Sequence, residues 1–502
     1  MGEKQCHVVM VPWLAFGHLI PFLELSNALA AKGINISFLC TPRNIEKLRP
    51  KIPRHLTSRI NLLGFPLPPV AGLLENAEAT FDLEQDAVQY LKKAYDMLQE
   101  PLEKLVKSTS PDLIIYDFAA YWAPPIALKL SVPCSFYSVF TAGSTCITRY
   151  LLKLSAITGR QSTPEDLLLA NCFSFPSPVR YKLHEAVRLC SGIGHNASGV
   201  SDVERFESAF RGCQSLLVRT CMEFEGEYVA ALQEICQKPV IPIGMLPAAA
   251  VEEEASSVSS PEWVACLRWL DQRDPRSVVF VAFGTEARLS KEEIEAIAAG
   301  LELSNLPFCW ILRRPSHVSA SSTAGGGGPG GNDKEDDVDD PLPPGFRDRT
   351  AQRGFISMSW VPQVKVLAHG SIGACLYHAG MSSTMEALQF GLPLVLLPMV
   401  IDQGLVARLL VEKKVGVEVE RDEKDGRFTG LEVAKALRLV MVEDEGKIIL
   451  EKARELKSKF DDQELNDGYI NRLVKLIRGQ GNEEDEEKAS ASNELNSKPS
   501  TL

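Results

Sequence analysis

No apolar run in this chain of 502 residues approaches the roughly 18 residues that span a bilayer. The longest, such as residues 392–401 (LPLVLLPMVI), are short and carry proline, so no membrane insertion is expected. An export leader is missing as well. MGEKQCHVVMVPWL runs straight into strand-like sequence, and a cytoplasmic location is expected. The sequon at Asn196-Ala197-Ser198 is then expected to go unused. Basic excess is absent too. The formal net charge is −12, which argues against non-specific nucleic-acid binding, since that needs a cationic surface. Much of the acid lies in two runs, residues 334–340 and 483–487, read as solvated segments. The 12 cysteines contain no CxxC pair and read as reduced core residues, not a disulfide frame. No G-x-G-x-x-G follows the first strand; WLAFGH stands there instead, so the nicotinamide-dinucleotide fingerprint is lacking. An Asp-x-Asp that could hold a metal occurs at Asp337 and Asp339, inside a low-complexity stretch, and no metal site is expected.

What is present is a soluble globular composition, 45% hydrophobic and 24% charged, in a chain long enough for two domains or more. Strand-like and helix-like segments alternate from the start. CHVVMVPW is a short apolar strand. Residues 18–31 carry apolar side chains at helical spacing and stop at Gly33. INISFLCT and RINLLGFPL read as strands, residues 82–107 as one long helix, PDLIIYDF as a strand, residues 123–130 as a helix and PCSFYSVF as a strand. After residue 261 the pattern restarts: SVVFVAFG is a strand, residues 291–303 a helix, and PFCWILR, GFISMSW, ACLYH, PLVLLPM and GVEVE are strands. Such alternation predicts parallel, doubly wound α/β sheets. Residues 247–261 are small, acidic and serine-rich, as a linker is. Residues 316–341 and the tail from 479 are read as disordered.

Two segments carry chemistry. Gly17-His18 lies where the first strand gives way to a helix, at the carboxyl edge where open α/β sheets bind ligands. A histidine there can take a proton from a hydroxyl, or it can simply cap and pack the helix start. Asp117 ends the fourth strand and emerges on the same edge. It can fix the tautomer of a general-base histidine or cap the next helix. The second segment is residues 360–403, WVPQVKVLAHGSIGACLYHAGMSSTMEALQFGLPLVLLPMVIDQ. Trp360 sits at a loop, where an indole can stack on a flat base. A tight turn at Gly380 opens a helix near Ser382 or Ser383, and free N–H groups there, with His378 and Ser383, suit a diphosphate. Glu386 lies one turn in, placed for a ribose diol, and Asp402-Gln403 follow the next strand, placed for sugar hydroxyls. Taken singly, each of these residues reads as a helix cap or core; jointly they do not.

Residues 360–403 resemble the C-terminal signature of the plant secondary-product UDP-glycosyltransferases: W-x-P-Q, L-x-H, H-x-G, S-x-x-E, G-x-P and a final D-Q. The resemblance extends over nearly the whole chain, through the N-terminal GH, the aspartate of YDF and the FGT turn at Gly284-Thr285. MVPWLAFGHLIPFLELS and TPRNIEKL resemble the clade that extends sugar chains on existing glycosides. One departure stands in the turn, where the family usually has HCGWNS and this chain has HAGMSS, with Met381 and Ser382 replacing tryptophan and asparagine.

The resemblance implies two Rossmann-like α/β domains facing across a cleft, the GT-B fold. The acceptor-binding domain would take residues 1–246 and the UDP-sugar-binding domain residues 262–456, with the helix at 457–478 packing back on the first. It implies His18 as catalytic base with Asp117 as partner. Trp360, Val361 and Gln363 would meet base and ribose, and Glu386 the ribose. Thr285, His378, Gly380, Ser382 and Ser383 would hold the diphosphate, and Thr141, Asp402 and Gln403 the transferred sugar. Trp13, Phe16, Phe118, Tyr121 and Phe140 are expected to line the acceptor side. The implied reaction is one inverting displacement by a hydroxyl of a plant secondary metabolite, expected to lie on the sugar of an existing flavonoid or terpenoid/steroid glycoside. Glucose is the expected donor sugar, with rhamnose or xylose as alternatives, and an aglycone is the alternative acceptor. A UDP-sugar-binding pseudoenzyme is the rival of another class, opposed by the retention of both His18 and Asp117. The UDP-sugar is a co-substrate; no cofactor or metal is implied, and a monomer is expected.

Overall fold

The computed structural model describes residues 5–192, 196–246, 261–284, 287–312, 340–359 and 362–479. The expected linker, low-complexity loop and tail fall almost wholly outside these residues. So do Thr285, Trp360 and Val361.

Among the described residues the first sheet has seven strands: β1 (His7–Val11), β2 (Asn35–Cys40), β3 (Ile60–Gly64), β4 (Leu113–Tyr116), β5 (Cys134–Ser138), β6 (Ser215–Val218) and β7 (Val240–Pro242). They lie in the order β3-β2-β1-β4-β5-β6-β7, every pairing parallel. The second sheet has six: β8 (Val278–Ala282), β9 (Phe308–Ile311), β10 (Gly354–Ser357), β11 (Ile372–Tyr377), β12 (Leu394–Leu396) and β13 (Gly416–Glu418), in the order β10-β9-β8-β11-β12-β13, again all parallel. The apolar runs of the sequence explain this. Val8–Val11 and all of β4, β5, β8 and β11 are buried, as strands covered on both faces must be.

Among the helices that position or brace the candidate site residues are α1 (Phe16–Ala31), α2 (Leu183–Gly192), α3 (Met381–Leu388), α4 (Gln403–Glu412) and α5 (Gln463–Ile477). Leu19, Phe22, Leu23, Leu25 and Leu29 of α1 enter one core with Val8, Met10 and Phe38 of the sheet. Leu473, Val474 and Ile477 of α5 belong to that same core.

Three features differ from the sequence expectations. The long helix over 82–107 is two helices, Val88–Asp96 and Gln99–Thr109. Pro101 accounts for the break, because a proline ring in mid-helix collides with the carbonyl four residues earlier, in this case that of Met97. The strands β6 and β7 follow no marked apolar run. Finally, residues 178–189 do not stay with the first half of the chain. The described chain forms two compact units; one runs to Ser177, resumes at Cys190 and takes up again at Lys459, and the other holds Pro178–Leu189 and the later chain to Ser458. Polar pairs hold the short segment there: Glu185 with Arg408, and Lys182 with Glu418 at 2.8 Å.

Among the described residues no helix is long and apolar enough to cross a membrane.

Candidate active site

In the first unit, β1 and β4 are neighbours and the strand order reverses between them. Chains leaving the carboxyl ends of such a pair diverge and leave a crevice. His18 sits in the first turn of α1, its backbone N–H on the Ala15 carbonyl at 2.9 Å. Asp117 directly follows β4, and its Oδ2 lies 2.7 Å from His18 Nδ1. The N–H of Trp13 donates to Oδ2 at 3.1 Å and that of Phe118 to Oδ1 at 2.7 Å. Asp117 is 1% exposed, and these three donors compensate for its removal from water. An ionised carboxylate only accepts. Nδ1 therefore carries the proton, and the basic lone pair is on Nε2. Asp117 does not cap the helix Ala123–Lys129, whose N-cap is Trp122.

Around this pair stand rings. Phe118 and Phe140 each have centroids 5.7 Å from the imidazole. Trp13, 4% exposed, is wedged edge-on against Phe118 and Tyr95. Tyr121 lies against the guanidinium of Arg205 at 4.9 Å. Arg205 is fully buried, donates twice to Asp96 and reaches the Ala119 carbonyl at 2.9 Å. Burial pushes the Asp96 carboxyl up, and Arg205 pulls it back. Phe16 makes a separate group, edge-on to Phe81 with Lys47 Nζ 5.1 Å from its centroid. Of the five expected aromatics, Phe118 and Phe140 flank His18 directly, and Trp13 backs Phe118. Thr141 is 1% exposed and N-caps the helix Ala142–Thr158. Its hydroxyl accepts from Ser144 N at 3.0 Å and donates to Ser144 Oγ at 2.8 Å.

In the second unit the order reverses between β8 and β11. Gly284 follows one and His378 the other. The two glycines Gly284 and Gly380 pack on the His378 ring, so closely that a Cβ on either would strike it. Gly284 also has φ +67°, which glycine alone adopts at little cost. Ala379 bends the chain with φ +61°, and Gly380 then N-caps α3. The N–H groups of Met381, Ser382 and Ser383 occupy the first turn, where a helix has donors without intrahelical partners and a partial positive charge. Gln363 Nε2 donates to Glu386 Oε2 at 2.6 Å, which joins two residues expected to meet base and ribose. Asp402 is the N-cap residue of α4. Gln403 Oε1 accepts from Met399 N at 2.9 Å and Val400 N at 3.0 Å. These two N–H groups fix the amide orientation, so Gln403 can offer a sugar only its NH2.

Two family descriptions match the sequence: "UDP-glucoronosyl and UDP-glucosyl transferase" over residues 268–465 and "Glycosyltransferase, N-terminal domain" over residues 4–199. UDP-glycosyltransferase 91C1 of Arabidopsis thaliana is 40% identical over 480 residues, covering 95% of this chain and 98% of that protein. Identity at that level over whole chains decides the family. The chain belongs to the UDP-glycosyltransferases. Soyasaponin III rhamnosyltransferase of Glycine max is 37% identical, covering 95% of this chain and 96% of that protein. The crystal structure of Glycyrrhiza uralensis UGT73P12 complexed with glycyrrhetinic acid 3-O-monoglucuronide aligns at a TM-score of 0.74 and 20% identity, covering 98% of this chain and all of that one. The fold is the two-domain GT-B fold, and the protein is an enzyme that transfers sugar from a UDP-sugar.

Two positions of this glycosyltransferase escaped the sequence. Phe206 stacks on Phe118 at 4.5 Å and approaches Phe140 at 6.1 Å, so it extends the aromatic wall beside His18. It sits in the amphipathic helix Asp202–Gly212, where nothing marks it off from a packing residue. The role of Gly284 as one wall of the His378 slot is equally silent in FGT.

His378 is buried, and burial lowers its pKa from 6.5 to about 4. The glycosyltransferase therefore keeps this ring neutral at pH 7, as a hydrogen-bonding group and not a cation. Among the described residues its Nδ1 has no hydrogen-bond partner. The depressed pKa has a stability consequence. An unfolded histidine binds the proton more readily, so the stabilisation is complete above pH 6.5 and is lost as pH falls towards 4. Between pH 8 and pH 5 this one ring is expected to cost about 2 kcal/mol. Urea unfolding at both pH values checks it: in His378→Gln the difference between the two should shrink by about that amount.

Proposed function

We propose that this enzyme adds the sugar of a UDP-sugar to a hydroxyl on an existing flavonoid or terpenoid glycoside, with inversion. The observation that carries the reading is the His18–Asp117 pair at 2.7 Å at the carboxyl edge of its sheet. His18 Nε2 takes the proton of the acceptor hydroxyl as that oxygen attacks the anomeric carbon. Asp117 holds the imidazole and stabilises the imidazolium that forms. Phe118, Phe140 and Phe206 give the acceptor scaffold an apolar wall, with Trp13 behind Phe118 and with Phe16 and Tyr121 further out. On the donor side, Trp360, Val361 and Gln363 take uracil and ribose, and Glu386 takes the ribose. Thr285, His378, Gly380, Ser382 and Ser383 take the diphosphate, and Asp402, Gln403 and Thr141 take the sugar. The charge that develops on UDP is met by the first turn of α3 and by the His378 N–H, with no metal in the scheme. The enzyme acts as a monomer in the cytoplasm.

Glucose is the proposed donor sugar. Rhamnose is a second reading, favoured by the Glycine max relative, which is named for rhamnose transfer to a saponin. Both readings make the acceptor a glycoside. Purified enzyme given UDP-glucose, UDP-rhamnose and UDP-xylose, each with aglycones and their monoglycosides, separates the possibilities by product mass. The expected product is a monoglycoside heavier by one sugar. Transfer to aglycones alone would defeat the chain-extension reading.

A further inference from the structure

The turn that presents Asp402 and Gln403 is strained. Ile401 has φ +56°, a left-handed conformation that a β-branched residue adopts only where its surroundings impose it. Those surroundings can be named. Gln403 holds the N–H groups of Met399 and Val400 from inside the turn. Arg421, whose guanidinium is largely buried and whose pKa is lowered by that burial, donates to the Pro398 carbonyl at 2.6 Å. Arg188 donates to the Met399 carbonyl at 2.7 Å. Each of these grips on Pro398 to Val400 ends on a residue whose own place is fixed elsewhere.

Arg188 comes from the segment Pro178–Leu189, which clusters with the second unit although the chain on both sides of it belongs to the first. Lys182, Glu185 and Arg188 are spaced three apart, so they fall along one side of the chain as it enters and follows α2. Each is committed to the second unit: Lys182 to Glu418, Glu185 to Arg408, Arg188 to Met399. Arg408 also reaches Glu418 at 3.1 Å, which closes Lys182, Glu185, Arg408 and Glu418 into one network. Glu185 lies against Gly404, the residue after Gln403, and a Cβ at Gly404 would fall on its carboxylate. The segment is therefore seated directly on the backbone that carries the two sugar-facing residues.

We infer that Pro178–Leu189 is a positioning strap for the donor sugar, with Arg188 and Glu185 setting the Pro398–Gly404 turn against which the sugar hydroxyls are read. This rests on the reading that Asp402 and Gln403 meet the transferred sugar. The strap acts on the sugar end of the donor and not on the nucleotide end, because its grips fall on Met399 of that turn and on Arg408 and Glu418 behind it. Arg188 is exposed, so its loss leaves no buried charge stranded and is tolerated by the fold.

The test compares Arg188→Ala, Arg188→Lys and Gln403→Ala in the full-length enzyme. It measures kcat/KM for each UDP-sugar and the inhibition constant of UDP. Arg188→Ala is expected to lower kcat/KM for the preferred donor about tenfold, the worth of a charged hydrogen bond, and to narrow its preference over other UDP-sugars. UDP inhibition should stay at the wild-type value. Arg188→Lys should recover most of the loss, since an ammonium can still donate to a carbonyl. If Gln403→Ala lowers kcat/KM but Arg188→Ala does not, the strap is overturned and the sugar reading stands. If Gln403→Ala itself behaves as wild type, the sugar reading fails and the strap falls with it. A parallel rise in the UDP inhibition constant for Arg188→Ala would also overturn it, since the nucleotide end would then be disturbed.

Discussion

Replacing His18 by alanine is expected to lower kcat by about 10²–10⁴-fold, the usual worth of a positioned general base. The geometry makes the loss specific. Nδ1 is committed to Asp117 at 2.7 Å, so Nε2 is the only basic atom of the ring, and alanine supplies none. The residues read as holding the nucleotide and the diphosphate belong to the other unit, so UDP affinity should be close to that of the wild type. Initial rates of UDP release in the presence of acceptor, with UDP binding measured in parallel, check both halves. Equal activity in mutant and wild type would show that another group is the base.

Asp117→Asn is expected to cost about as much, of order 10³–10⁴-fold in kcat, although the shape hardly changes. An asparagine amide facing His18 Nδ1 donates instead of accepting. The ring proton then moves to Nε2, and the base is lost through the tautomer. Either orientation sets the amide NH2 against a backbone N–H that now donates to the carboxylate, that of Trp13 at 3.1 Å or that of Phe118 at 2.7 Å, and a buried donor is left without a partner at a cost of about 1–3 kcal/mol. Raising the pH should not restore activity, because a neutral imidazole of the wrong tautomer has no proton to lose in that range. A kcat–pH profile of Asp117→Asn that recovered at high pH would contradict this. The double variant with His18→Ala should be scarcely slower than either single one, as groups that act as a unit are not additive.

Much of this architecture could be read from the sequence because parallel strands covered on both faces have to be apolar throughout. CHVVMVPW, PDLIIYDF, SVVFVAFG and ACLYH announce β1, β4, β8 and β11 in this way, and these are the four central strands at the two reversals of strand order. His18 and Asp117 were legible as a pair because each follows closely on one of them. The strands β6 and β7 were not, since SLLV and VIP are too short to stand out from a loop. The break at residues 97–98 was available in principle from Pro101, but the amphipathic pattern runs through it. Contacts between distant positions left no trace at all. Gln363 and Glu386 could each be placed near a ribose, yet nothing in either segment says that they bond to one another. Phe206 and the strap at residues 178–189 act only through partners that the fold supplies. The three-residue spacing of Lys182, Glu185 and Arg188 was a visible sign of a charged face, but such faces usually point to water.

The configuration of the new glycosidic bond tests the central claim most directly. A single displacement by a hydroxyl that His18 has activated inverts the anomeric carbon, so an α-linked UDP-glucose must give a β-glucoside. Proton NMR of the purified product reads this from the coupling between H1 and H2. The large coupling of two axial protons is the predicted result. The small coupling of an α-glucoside would mean retention, and with it a covalent or front-face route in which His18 and Asp117 do not act as base and partner.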